Sequence, residues 1–376
     1  MTKAEFRVIQ HNCEEKFGSN SKVSGSFCWT GKCLRRSGPL TRAFLSGRKS
    51  LLFERMDENR FQDCHGDLRT GHVYFTEHGI QIIDCIEFND RFRYQDVASD
   101  LGFLIMDMEF LGYPALAARL LYFCAQMTRD PGIYEVIDFY KAYRAMVRLK
   151  VDSIRHGEPD VTKTVRQKLA VKIQKYLYLA RHYLENATRP RLWVVCGMPA
   201  SGKSTIAEAL GRRLMARVIS SDRVRKDMFG LASEKAEHLG FEADIYAKDA
   251  TRQTYNRMMD IAEADIAKGN SVVLDATFGD AEYRRAALLL AKGAGAGILF
   301  IECTVAEDLM EQRLKEREVA DTISDARLVH FDFFKKNFEP LTEIHDHAHM
   351  VIDTAKEMDA CVLLAVSEHY TTTQPY

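Results

Sequence analysis

Apolar positions in the second half of the chain fall into two alternating patterns. Short, almost wholly apolar runs, LWVVC at 192–196, RVIS at 217–220, SVVL at 271–274, GILFIEC at 297–303 and MVI at 350–352, read as buried strands. Between them lie stretches with apolar residues at helical spacing. One carries Ile206, Leu210 and Leu214, and a later one carries Tyr255, Met258, Met259, Ala262 and Ile266. Strands separated by helices need right-handed crossovers that cover both sheet faces, so the pattern predicts a doubly wound parallel α/β fold.

The first half reads differently. From Val165, apolar residues at Leu169, Ile173, Tyr176, Leu177, Ala180 and Leu184 predict a long helix that ends in the polar stretch 185–191. A domain boundary is expected near residue 188. Upstream, VYF and IQIID flank Glu77-His78-Gly79, which predicts a hairpin with Asp67 and Asp84 converging at one end. Residues before position 61 include 12 basic and six acidic side chains with little periodicity. The expected division is an irregular segment over 1–40, a mostly helical α+β unit over 41–187, and the doubly wound unit over 188–376.

Composition narrows the function classes. The 376 residues carry 52 Lys plus Arg against 53 Asp plus Glu, a net charge of −1, so no global positive field gathers nucleic acid. No run approaches a membrane-spanning helix and no apolar core marks a secretory leader, so a cytoplasmic address without a membrane partner is expected. Nine cysteines without a CxxC pair read as reduced core residues.

The most specific feature follows LWVVC. Gly197-Met198-Pro199-Ala200-Ser201-Gly202-Lys203-Ser204-Thr205 fits GxxxxGK[ST] between a strand and a helix. Two glycines permit a tight loop whose amide dipoles, with the helix N-terminus, hold phosphate oxygens. Lys203 would reach the β and γ phosphates and Ser204 would ligate Mg2+, so this half is expected to bind a nucleoside triphosphate such as ATP. One strand later, Asp222 and Arg225 lie three apart after RVIS, where a carboxylate can accept a hydroxyl proton and a guanidinium can hold an anionic group. The alternative is a helix N-cap with a solvated arginine. Asp275, directly after SVVL, has the placement of a Mg2+-holding carboxylate, or it orients an acceptor. Arg313 and Arg317, four apart on an amphipathic helix, either close over phosphates or form a solvated face. The alternating His345, His347 and His349 read as a loop entering a strand, and the basic helix from Lys163 to Lys175 reads as a solvated face.

Together GMPASGKST, SSDRVRK, VVLDATF and RLKER resemble the P-loop small kinases that include polynucleotide 5′-kinases, zeta-toxin-like kinases and gluconate-kinase-like proteins. The likeness runs over about 191 to 356. It implies phosphoryl transfer from ATP with Mg2+ to a small-molecule or polynucleotide hydroxyl, Asp222 as general base, Arg225 on acceptor or phosphate, and Arg313 and Arg317 as lid arginines.

Residues from about 40 to 160 resemble the aminoglycoside phosphotransferases, on His65-Gly66-Asp67-Leu68 and the later IQIID and IEFNDRFRYQDVASDLGFL. That likeness implies a base at Asp67, a metal ligand at Asp84 and a bracing aspartate at Asp100. Two departures stand out. The position of the metal-binding Asn holds His72, a poor ligand for hard Mg2+, and the 64 residues before His65 show no VAIK-type lysine or glycine-rich strand pair. The expectation is therefore a scaffold, docking or acceptor-recognition unit with a vestigial second site at Asp67 and Asp84. Phosphotransferase activity of this first half and a non-catalytic ATP-binding module are the alternatives to a kinase in the second.

Overall fold

The computed structural model describes residues 28–228, 248–319 and 331–373, together with His11. The chain divides into two compact units, the break falling between Thr188 and Arg189.

The first unit opens with helices α1 (Cys28–Gly47) and α2 (Lys49–Asp57). The helix over 28–40 corrects the expectation of an irregular segment at its C-terminal end. Buried Phe44, which stacks on Phe139 at 4.2 Å, and buried Leu45 anchor it, an apolar contact that a count of small and basic residues conceals. Residues 1–27, apart from His11, lie outside the described residues. Strands β1 (Phe61–Asp63), β2 (Val73–Thr76), β3 (Gly79–Ile82) and β4 (Tyr94–Asp96) form two antiparallel pairs, β1 with β4 and β2 with β3. Helices α3 (Val97–Phe110), α4 (Pro114–Met127), α5 (Ile133–Gly157) and α6 (Lys163–Thr188) supply most of the core. The guanidinium of buried Arg55 ties these parts together, donating to Asp96 at 2.7 and 2.8 Å and to Asp130 at 2.9 and 3.0 Å. Such a triad is held by mutual hydrogen bonding, since a lone buried charge would be costly.

The second unit contains β5 (Arg191–Cys196), α7 (Lys203–Leu214), β6 (Arg217–Ser220), α8 (Ser221–Met228), α9 (Lys248–Ala267), β7 (Val272–Asp275), α10 (Ala281–Ala294), β8 (Gly297–Thr304), α11 (Glu307–Val319), α12 (Phe331–Asn337), β9 (His349–Asp353) and α13 (Met358–Thr373). Its five strands are all parallel in the order β6-β7-β5-β8-β9. Helices α7 and α13 cover one face, and α9 and α10 the other. Alternation along β5 shows why both faces need cover: Leu192, Val194 and Cys196 enter the cluster with Met258, Ala262 and Ala287, while Trp193 meets His369 on α13 edge-on at 4.4 Å. This is the doubly wound α/β sheet expected from the sequence. Successive strands leave β5 in opposite directions, which opens a crevice at the carboxyl ends beside it.

Candidate active site

Strand register builds the site. Val195 pairs with Asp275 and Ser220 pairs with Asp275, so the ends of β5, β6 and β7 finish level, and whatever follows each strand projects into one crevice. The Gly197–Thr205 loop follows β5, Asp222 follows β6, and the Asp275-Ala276-Thr277-Phe278 turn closes β7.

Both loop glycines are sterically required. Gly197 has φ +133°, and a Cβ there would sit 2.4 Å from the carbonyl oxygen of Cys303. Gly202 has φ +88°, and its Cβ would fall 2.9 Å from Thr354 Oγ1. The loop is further fixed by Gly197 N donating to the Thr277 carbonyl at 3.1 Å and Ser201 N donating to Met198 at 3.2 Å. Lys203 Nζ donates to the Met198 carbonyl at 2.8 Å, which holds the ammonium across the loop. The hydroxyl of fully buried Ser201 has no hydrogen-bond partner among the described residues. A glycine-shaped cradle with an ammonium, a helix N-terminus and an orphaned hydroxyl fits a polyphosphate.

The metal-ligand pair expected from the sequence lies beside it. Asp275 is buried, and the hydroxyls of Ser204 and Ser220 donate to its carboxylate. Burial pushes this carboxyl above its ordinary range and neighbouring Asp222 adds to the push; Lys203 and the two serines oppose it without cancelling it. A carboxyl raised in this way stabilises the fold when protonated, and the contribution is lost as pH rises through its folded-state value. Asp275→Asn should therefore raise stability at neutral pH by about 1 kcal/mol, read as roughly 2–4 °C in Tm, and the difference should vanish in acid. Thermal scans at pH 7.5 and pH 3.5 check this. A less stable variant at pH 7.5 would mean that the serine and lysine contacts outweigh desolvation.

Asp222 sits in the first turn of α8, half-buried, with Arg225 Nη1 at 3.7 Å from its carboxylate. Arg313 reaches the loop from α11, and its Nη1 donates to the Ala200 carbonyl at 3.2 Å and to Thr354 Oγ1 at 3.3 Å. Thr354 in turn donates to the Ser201 carbonyl at 2.7 Å. Arg313 is thus engaged with the loop's backbone, where the sequence suggested a lid. Arg317 lies on the same helix, and its side chain lies outside the described residues.

Five contributors were not assigned from the sequence. Tyr255, a core position by periodicity, bonds through its hydroxyl to Thr277 Oγ1 at 3.2 Å and accepts from Phe278 N at 3.0 Å. Phe278 has φ +47°, a left-handed conformation held from below by fully buried Arg284, which donates to its carbonyl at 2.7 Å. Ser220 and Thr354 complete the set. Phe278 and Ser220 gave a signal, by standing in VVLDATF and SSDRVRK. Thiols are not nucleophiles here: burial pushes Cys303 up to about 12 and Cys196 well above its usual value. Cys196, Cys303 and Cys361 are buried core residues, whereas Cys85 is exposed.

In the first unit the hairpin does bring Asp67 and Asp84 together, with His72 between them. Asp100 accepts from His65 N at 2.6 Å and Gly66 N at 3.0 Å, bracing the loop. The three histidines of 345–349 do not converge on one point: His345 stacks on His347, and His349 bonds Glu302 at 2.9 Å.

Residues 192–341 match the family described as AAA domain. The match lies wholly in the second unit. These comparisons do not support the likeness to aminoglycoside phosphotransferases expected for the first unit. An uncharacterized protein of Mycobacterium tuberculosis (strain ATCC 25618 / H37Rv) is 32% identical over 301 residues, covering 80% of this chain and 59% of the relative. One from Mycobacterium bovis gives the same figures of 32% identity, 80% and 59%. The chain therefore spans less than two thirds of the length of these relatives. Among solved structures, the APS kinase of Mycobacterium tuberculosis with AMPPNP and APS shows 19% identity over 48% of this chain and 97% of its own, at a TM-score of 0.36. Kti12 of Chaetomium thermophilum with ADP-AlF3 shows 16% identity over 46% of this chain and 96% of its own, at 0.37. A gluconokinase of Sinorhizobium meliloti shows 16% identity over 48% of this chain and 92% of its own, at 0.31. No helix among the described residues is long and apolar enough to cross a membrane.

Proposed function

We propose that the second unit is a phosphotransferase that uses ATP and Mg2+ to phosphorylate a hydroxyl of a small-molecule or nucleotide-type acceptor. The observation that carries this reading is the convergence of Lys203, the Ser204–Asp275 pair and Asp222 on one crevice at the carboxyl edge of the sheet. Bound magnesium nucleotide supplies the phosphoryl group and the metal's charge; Ser204 and Asp275 would hold the metal. Lys203 would exchange its Met198 carbonyl for phosphate oxygens. Asp222 accepts the proton of the acceptor hydroxyl, and Arg225, held beside it, offers charge to an anionic group on the acceptor or to the transferred phosphoryl. Arg313 keeps the loop in shape, and Arg317 is left as the lid arginine of this proposal. The first unit serves as a scaffold, docking or acceptor-recognition part, with Asp67 already engaged by Arg69 at 3.1 Å. A cytoplasmic setting belongs to the proposal and is supported by the free thiols of the described cysteines.

The test uses the full chain with γ-labelled ATP, a metabolite and oligonucleotide pool, and Mg2+ or EDTA. A labelled acceptor that forms only with Mg2+ is expected. Tight Mg-ATP binding without labelled product across the pool would leave the binding-module reading, and no magnesium-dependent nucleotide binding would end both.

A further inference from the structure

Among the described residues, Asp67, His72 and Asp84 are the group whose ligand atoms could share one ion: one atom from each lies within 4.8 Å of the others. The aminoglycoside-phosphotransferase likeness implies Mg2+ at these positions, and the side chains present do not fit it. Mg2+ takes oxygen ligands in a strict octahedron, whereas an imidazole with two carboxylates suits a borderline transition metal. We propose that Asp67, His72 and Asp84 form a site for Zn2+, and that the ion enters by displacing the guanidinium of Arg69. The proposal is independent of the second unit's chemistry.

Three features support it. First, the imidazole is aimed. His72 Nδ1 lies 2.9 Å from the Asp67 carbonyl, which can only accept, so Nδ1 carries the proton and Nε2 presents its lone pair. This is the carbonyl-oriented arrangement that fixes the tautomer of metal-binding histidines. Second, the spacing suits one ion. His72 Nε2 stands 3.4 Å from Asp84 Oδ2, and two donors on one tetrahedral zinc at its usual bond lengths are about 3.4 Å apart. Third, a cation already sits there. Arg69 Nη2 is 2.8 Å from His72 Nε2 and 3.1 Å from Asp67 Oδ2, so a positive group of the chain itself bridges two of the three ligands. Its side chain is 23% exposed, so it can swing into solvent without opening the core.

The surroundings hold the ligands in place. Thr70 N donates to Asp107 at 3.1 Å, fixing the turn that carries His72. His65 Nε2 lies 2.8 Å from the carbonyl of Ile83, the residue before Asp84. His72 and the backbone leading to Asp84 therefore lose little freedom when an ion arrives, while the Asp84 side chain, 72% exposed, is the ligand that has to be ordered.

Zinc titration of the full chain against a chromophoric chelator, in millimolar Mg2+, tests the proposal. The unaltered chain should bind one Zn2+ that His72→Ala and Asp84→Asn each weaken by at least about tenfold. Arg69→Ala should tighten the same site about tenfold, because the competing cation is gone. That gain cannot come from misfolding, which separates loss of a ligand from loss of the fold. Equal affinity in the unaltered chain and His72→Ala, or no tightening in Arg69→Ala, overturns the assignment.

Discussion

Lys203→Ala should lower phosphoryl transfer by about 10²–10³-fold, with the thermal midpoint moving by less than about 3 °C. The asymmetry follows from where the lysine sits. Its ammonium donates to the Met198 carbonyl, on a loop already fixed by Gly197, Ser201, Thr354 and Arg313. In transfer it would be the charge next to the phosphates, in a crevice where a fixed charge acts more strongly than in water. A second consequence checks the placement. Lys203 is the largest influence that lowers the Asp275 carboxyl against its burial. Without it Asp275 ionises at still higher pH, so any remaining metal-dependent nucleotide binding should need a higher pH. Activity assays paired with pH-dependent nucleotide titrations of Lys203→Ala read both effects. Full activity in this variant would place the reaction elsewhere in the chain.

The features legible in the sequence were those written in local spacing. Five strands and the helices α7, α9 and α11 could be read because a parallel sheet covered on both faces needs uninterrupted apolar runs, as in Leu192–Cys196, with amphipathic stretches between. The loop could be read because its two glycines answer steric demands at fixed positions, the Cys303 carbonyl and Thr354. What escaped depends on contacts across sequence. Tyr255 occupies the helical phase of a core residue, and its period says nothing of a hydroxyl that reaches Thr277, 22 positions on. Arg284 looks like one more surface arginine of α10, yet it is fully buried on the Phe278 carbonyl and Glu343. Helix α1 escaped for a similar reason: its burial comes from Phe139, far along the chain. Spacing gave Arg313 and Arg317 a common face, but could not say that Arg313 would be held by Ala200 and Thr354.

The sharpest separation of binding from chemistry comes at Asp222. Asp222→Asn keeps the size of the side chain and its place in the first turn of α8, so nucleotide affinity should stay within about twofold, as for a surface change of up to about 0.5 kcal/mol. Turnover should fall about 10²–10⁴-fold, because an amide cannot take the acceptor's proton. The variant also removes a negative charge that pushes Asp275 upward. Asp275 then ionises at lower pH, and magnesium-dependent nucleotide binding should extend further into acid than in the unaltered chain, opposite in direction to Lys203→Ala. An inert bystander or a mere helix cap at position 222 would leave turnover unchanged, since Asn caps about as well as Asp, while the shift in pH dependence follows from the lost charge in either case. Arg225→Met separates the partner's role: loss confined to the acceptor's KM means that Arg225 holds the acceptor, whereas loss in kcat means that it meets the transferring phosphoryl group. If Asp222→Asn turns over as fast as the unaltered chain, the proton acceptor lies outside this crevice.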